Sequence, residues 1–250
     1  MNWIAWIVGC ILLTGLAIGL YRGALRIAVS IATAVLTILI AFFVTPYTAQ
    51  FIEEKTPLDD SMRKYITGNI EAAIDVLVPV EDEEQEETED AADETGVYKE
   101  IPKDLQIQVI ENADVPEIFR NLLAENNNDE VYEELGVETF VQYAGTYLSR
   151  LSLRVCIFSI LLVLATIVLR AVVFAMNVIK KIPMVGFANR LAGGVMGFIG
   201  ALFVVWFLFM VVILLYSTDI GKQIYGAICE NAYMKFIFDY NPLLNISIKI

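Results

Sequence analysis

The chain contains no histidine, only 3 cysteines, and no acidic side chain anywhere in residues 1–52 or 154–218. The first absence removes the commonest general base and the commonest metal ligand together. Cys10, Cys156 and Cys229 stand far apart with no C-x-x-C pair, so they frame neither a zinc site nor a disulfide network. The missing acids exclude an aspartyl dyad or a metal-binding carboxylate from the apolar parts of the chain. The reading is therefore of a protein that is not an enzyme and holds no cofactor or metal.

Apolar residues are what the sequence has in abundance. Of 250 residues 57% are hydrophobic and 19% charged, against about 25% charged in an ordinary soluble domain. The charge is also segregated. Residues 46–150 hold 27 acidic and 7 basic side chains, a net −20, whereas the rest of the chain is net +7. The overall −13 combines a mildly basic apolar body with a strongly acidic insert, which excludes nucleic acid as a partner.

Four stretches are apolar enough to cross a membrane. Trp3–Leu20 and Ile27–Val44 each run 18 residues without a charge, close to the roughly 20 that a spanning helix needs. A third lies between Arg154 and Arg170, and a fourth runs from about Leu191 to Tyr216. None has the polar face of a soluble core helix. Only 15 residues separate Arg154 from Arg170, about 22 Å of helix against roughly 30 Å of hydrocarbon. Both arginines are therefore expected to snorkel to opposite headgroup layers while the helix continues past them through Met176.

Short loops set the orientation. Arg22 and Arg26 lie between the first two spans, and Lys180, Lys181 and Arg190 between the last two, with no acid in either loop. The positive-inside rule puts both loops in the cytoplasm. Both termini and the insert then lie outside, and the fold class is all-α: a polytopic membrane protein with four transmembrane helices in two hairpins. Its expected parts are a first hairpin (1–45), an acidic extracytoplasmic insert (46–150), a second hairpin (151–216) and an extracytoplasmic amphipathic tail (217–250). The lipid bilayer is the first partner this implies.

Small residues recur at helical spacing beside each basic turn. Gly15, Gly19 and Gly23 share one helix face, as do Gly193, Gly197 and Ala201, and Ala24, Ala28 and Ala32 extend the pattern into the second span. In water such glycines would weaken a helix by about 1 kcal/mol each. In lipid they allow close backbone approach, and so predict helix packing within the chain or self-association.

The insert begins with a helical stripe, Met62, Ile66, Ile70, Ala73, Ile74 and Leu77, opened by Thr56-Pro57 and stopped by Pro79. Residues 81–96 carry ten acids and no base, the composition of a disordered, solvated run. "ENNNDEVYEELG" comes nearest to a calcium loop but lacks the glycine at its sixth place. Two short amphipathic helices are expected around Leu105, Val109 and Ile110 and around Ile118, Leu122 and Leu123. Val137, Val141, Tyr147 and Leu148 predict a helix running straight into the third span. The tail reads as one amphipathic helix and a turn at Pro242, its aromatics Tyr225, Tyr233, Phe236, Phe238 and Tyr240 suiting a membrane interface or a cover for the insert.

"LYRGALRIAVS" and "FANRLAGGVMG" together resemble the colicin V production (CvpA) family of bacterial inner-membrane proteins. Arg22, Gly23, Arg26 and Ser30 match the pattern of its first hairpin, and Asn189, Arg190, Gly193 and Gly197 that of its last span. The resemblance covers the four spans, roughly half of the chain. Acids common in the family near the amino terminus and after the second arginine are replaced by Ala5 and Ile27, and Gly200 stands where a basic residue is frequent. The long acidic insert is not typical of its shorter members. The resemblance implies a non-enzymatic protein of the cytoplasmic membrane supporting toxin production, export or envelope assembly, with membrane or envelope proteins as partners. The alternative from the residues alone is an oligomeric channel or transporter, lined by the few polar groups available: Thr14, Thr33, Thr37, Thr166, Arg170 and Asn177.

Overall fold

A computed structural model of the protein describes residues 3–77, 101–175 and 186–249. Among the described residues there is no strand, and eleven helices account for nearly all of the backbone. The acidic run 81–96, Pro79, Met176, Asn177, Lys180 and Lys181 lie outside the described residues.

The four apolar stretches are helices long and apolar enough to cross a membrane, as expected. They are α1 (Trp3–Arg22), α2 (Ala24–Lys55), α7 (Phe140–Ala175) and α8 (Phe187–Leu214). At 1.5 Å per residue the 32 residues of α2 and the 36 of α7 reach about 48 and 54 Å, well beyond a hydrocarbon core of roughly 30 Å. The helix through the third span thus continues past both Arg154 and Arg170, although it starts at Phe140 and leaves Val137 in the preceding turn.

Hydroxyls inside these helices are satisfied locally. Thr33, Thr37, Thr45 and Thr166 each donate to the carbonyl four residues back, at 2.6–2.9 Å. A polar side chain can thereby sit in lipid without an unmet hydrogen bond.

The chain divides into two compact units, residues 1–51 with 154–250, and residues 52–153. In the first, α1 lies against α8, and the tail folds back on the far half of α8. The tail is not one helix and a turn but three helices, α9 (Asp219–Cys229), α10 (Ala232–Asp239) and α11 (Pro242–Lys249). Thr218 and Asn231 cap α9 and α10 by accepting from backbone N–H groups two or three residues on. Pro242 opens the third helix at its first position, where a missing N–H costs nothing and the fixed φ already suits the helix.

Asn241 joins the tail to α8. It is buried, its Oδ1 accepts from the Leu243 and Leu244 amides, and its Nδ2 donates to the Trp206 carbonyl at 2.9 Å. Trp206 Nε1 in turn donates to the Ile237 carbonyl at 3.0 Å. The tail aromatics divide by face: Tyr225 and Phe238 are buried and packed edge to face, while Tyr233, Phe236 and Tyr240 are exposed.

The second unit contains α3 (Leu58–Leu77), α4 (Lys103–Asn112), α5 (Glu117–Glu125) and α6 (Asp129–Leu135), with the start of α7. The stripe of α3 is buried at Ile70 and Ile74, and α4 and α5 bury Val109, Ile110 and Leu123, as their spacing predicts. The segment nearest to a calcium loop is instead the end of α5, an Asn128 cap accepting from the Val131 amide, and α6 closed by Gly136 at φ 68°. Tyr143 is fully buried; its hydroxyl donates to the Leu123 carbonyl at 2.8 Å and its ring stacks on Tyr132 with centroids 4.8 Å apart. Tyr132 donates to Asn127, Asn127 to Gln106, and Gln106 to the Ile101 carbonyl, at 2.8–2.9 Å. This chain of side-chain amides ties α4 to α6.

Candidate functional site

The motif glycines meet one another. Gly15, Gly19 and Gly23 on α1 and its end face Ala201, Gly197, Gly193 and Asn189 on α8, so the two helices run antiparallel along a seam of small residues. A Cβ built on Gly15 would lie 2.6 Å from the Gly197 carbonyl oxygen, and one on Gly197 2.8 Å from the Gly19 Cα. A Cβ on Gly193 would lie 2.7 Å from the Gly23 Cα. Such distances put backbone against backbone, which no larger residue permits. Gly194 adds a side contact, its α-carbon covered by Leu16 and Leu20.

At the end of the seam the chain turns on a single residue. Gly23 separates α1 from α2 with φ at +77°, a left-handed conformation that glycine adopts without strain. Its amide still donates to the Gly19 carbonyl at 2.9 Å, and its carbonyl accepts from the Ile27 amide at 3.3 Å. The Asn189 amide group fills the space where a Cβ would project. Residue 23 is thus restricted twice, by its backbone angle and by its neighbour.

Beyond Gly23 a cleft of about 250 Å³ opens, lined by Tyr21, Arg22, Gly23, Gly186, Phe187, Asn189 and Arg190. The antiparallel seam is what creates it, because it brings the last turn of α1 beside the first turn of α8. Four of the residues singled out in the sequence, Arg22, Gly23, Asn189 and Arg190, line this one cleft. Gly15, Gly19, Gly193 and Gly197 form the seam leading to it. Arg26 and Ser30 do not line it: Ser30 is exposed on α2, and Arg26 is half-buried, its Nε enclosed and without a hydrogen-bond partner.

Tyr21 and Phe187 fall within the two motif stretches but are not among their matched positions, and Gly186 lies just outside them. The signal for Gly186 is slight, a lone glycine before a long apolar run, yet it precedes α8 with φ at +58°. As the N-cap it offers the helix no side-chain hydrogen bond. Electrostatically the cleft is cationic, since residues 1–52 and 154–218 contain no acid to offset Arg22 and Arg190. No group of three or more Cys, Asp or Glu that could hold a metal occurs among the described residues.

No family model, no curated protein and no solved structure matches this chain.

Proposed function

We propose that the chain is a non-enzymatic membrane assembly protein of the colicin V production type. In this reading it crosses the bacterial cytoplasmic membrane in two hairpins, with both termini and the acidic insert outside. It supports toxin production, export or envelope assembly by recruiting membrane or envelope proteins to its outer segment.

The observation that carries this reading is the antiparallel seam. It brings Arg22, at the turn after α1, and Arg190, in the first turn of α8, to the same end, in keeping with two hairpins whose basic turns share one side of the membrane. The glycine faces are occupied by each other within one chain, so self-association falls to other surfaces, such as the α2 face carrying Ala28 and Ala32. Residues 52–153 supply a compact helical unit with its own aromatic and amide core, suited to partner contacts.

Gentle extraction from native membranes, with the mass of the complex and co-purifying proteins determined, tests the reading. A monomer or dimer holding a second protein, lost when α3–α6 are deleted, is the expected result. A closed ring of identical chains would replace it with the channel or transporter reading. That alternative draws little from the threonines, because Thr33, Thr37 and Thr166 turn their hydroxyls onto their own helices.

A further inference from the structure

We propose that the cleft between the end of α1 and the start of α8 binds a phosphate group, supplied by the headgroup of an anionic phospholipid. The inference rests on the membrane placement proposed above but not on any assembly role.

Three features of the cleft point to this ligand. Its charge is the first: Arg22 and Arg190 come from two different helices, and the apolar parts of the chain offer no carboxylate as counter-ion. Two arginines lining one cleft from separate helices suit a phosphate, whose oxygens accept paired N–H donors. The cleft also lies at the first turn of α8, the positive end of a 28-residue helix.

Depth is the second feature. The cleft begins where the charge-free run Trp3–Leu20 ends and where α8 begins, so it opens at the boundary between hydrocarbon and water. Lipid phosphates occupy that layer, and basic pockets between spanning helices are known to take lipid headgroups. Tyr21 and Phe187 flank the cleft at 79% and 77% exposure, as aromatic residues do at the headgroup level.

Size is the third. About 250 Å³ lies below the roughly 300–1,000 Å³ of sites that enclose a whole drug-sized ligand. It suits a headgroup whose acyl chains remain in the bilayer.

The test uses the full chain in detergent, with native mass spectrometry reading bound lipid as phosphatidylglycerol, phosphatidylcholine or inorganic phosphate is titrated. The expected result is retention of phosphatidylglycerol over phosphatidylcholine, weakened about tenfold for each arginine lost in Arg22→Gln and Arg190→Gln. Arg170→Gln, outside the cleft, should leave retention unchanged. Arg22→Lys with Arg190→Lys should restore part of the loss, separating charge from folding. Displacement of the lipid by inorganic phosphate, itself lost in the double Gln variant, would keep the phosphate site and overturn the lipid as its occupant. Equal loss from Arg170→Gln, or an undiminished preference in the double Gln variant, would overturn the site altogether. Failure of the membrane placement would appear separately, as reporter fusions at residues 22–26 reading extracytoplasmic.

Discussion

Gly19 and Gly193 touch backbone to backbone: a Cβ added to Gly19 would lie 2.8 Å from the Gly193 carbonyl carbon. Neither residue has a flexible neighbour that could move aside, because the obstruction is main chain. Gly19→Ala and Gly193→Ala should therefore each destabilise the protein by about 1–3 kcal/mol, the usual range for overpacking. Gly200→Ala and Gly9→Ala, with nothing within 4 Å of the added Cβ, should be neutral or slightly stabilising through the better helix propensity of alanine. Thermal denaturation in detergent would separate the pairs. Equal melting temperatures for all four variants would dispose of the seam.

Gly23 and Asn189 form a coupled position. Gly23→Ala meets both the left-handed backbone angle and the Asn189 side chain. Adding Asn189→Ala should relieve the steric part and leave the backbone part, of order 1 kcal/mol for a non-glycine residue in this region. A double-mutant cycle should then show a coupling of about 0.5–3 kcal/mol, the range for residues in contact. Strict additivity would refute it.

The tail is held by Asn241. Asn241→Ala removes the cap of α11 and the hydrogen bond to Trp206, a combined loss of about 1–2 kcal/mol. The helices after α8 should then become more open to limited proteolysis, with cleavage confined to residues beyond 215. An unchanged digestion pattern would show that apolar packing of Tyr225 and Phe238 suffices.

Alkaline pH should loosen residues 52–153. Burial, with a smaller contribution from the Asp129 carboxylate, raises the Tyr132 hydroxyl from its ordinary 10.0 to about 12. A raised folded-state value means that the folded form favours the protonated phenol, so the stabilisation is complete below pH 10 and is lost as pH rises toward 12. Chemical denaturation across that window should show a decline that Tyr132→Phe, which cannot ionise, makes shallower. A variant with the same pH profile as the parent protein would remove Tyr132 from the account.

Replacing Tyr143 probes the same core from the other side. Tyr143→Phe leaves the Leu123 carbonyl without this donor and should cost about 1–3 kcal/mol. Tyr143→Ala, which also empties a fully buried ring site, should cost about 3–5 kcal/mol. Hydrogen exchange of α5 and α6 amides would report both.

Sequence patterning by itself determined the four apolar helices, the helical reading of residues around 58–77, 103–112 and 117–125, and which faces carry small residues. These follow from local hydropathy and spacing, because a run of about 20 apolar residues has few alternatives in water or lipid. The tertiary structure decided what local pattern leaves open. It paired the glycines of α1 with those of α8 across most of the length of the chain, since backbone contact depends on two complementary surfaces and neither one specifies its partner. It broke the tail into three capped helices, where Asn231 and Asn241 satisfy backbone amides that a single continuous helix would have used internally. It also gathered Arg22 and Arg190 at one cleft. Each arginine reads alone as an anchor at a helix end, and only the antiparallel seam makes them neighbours.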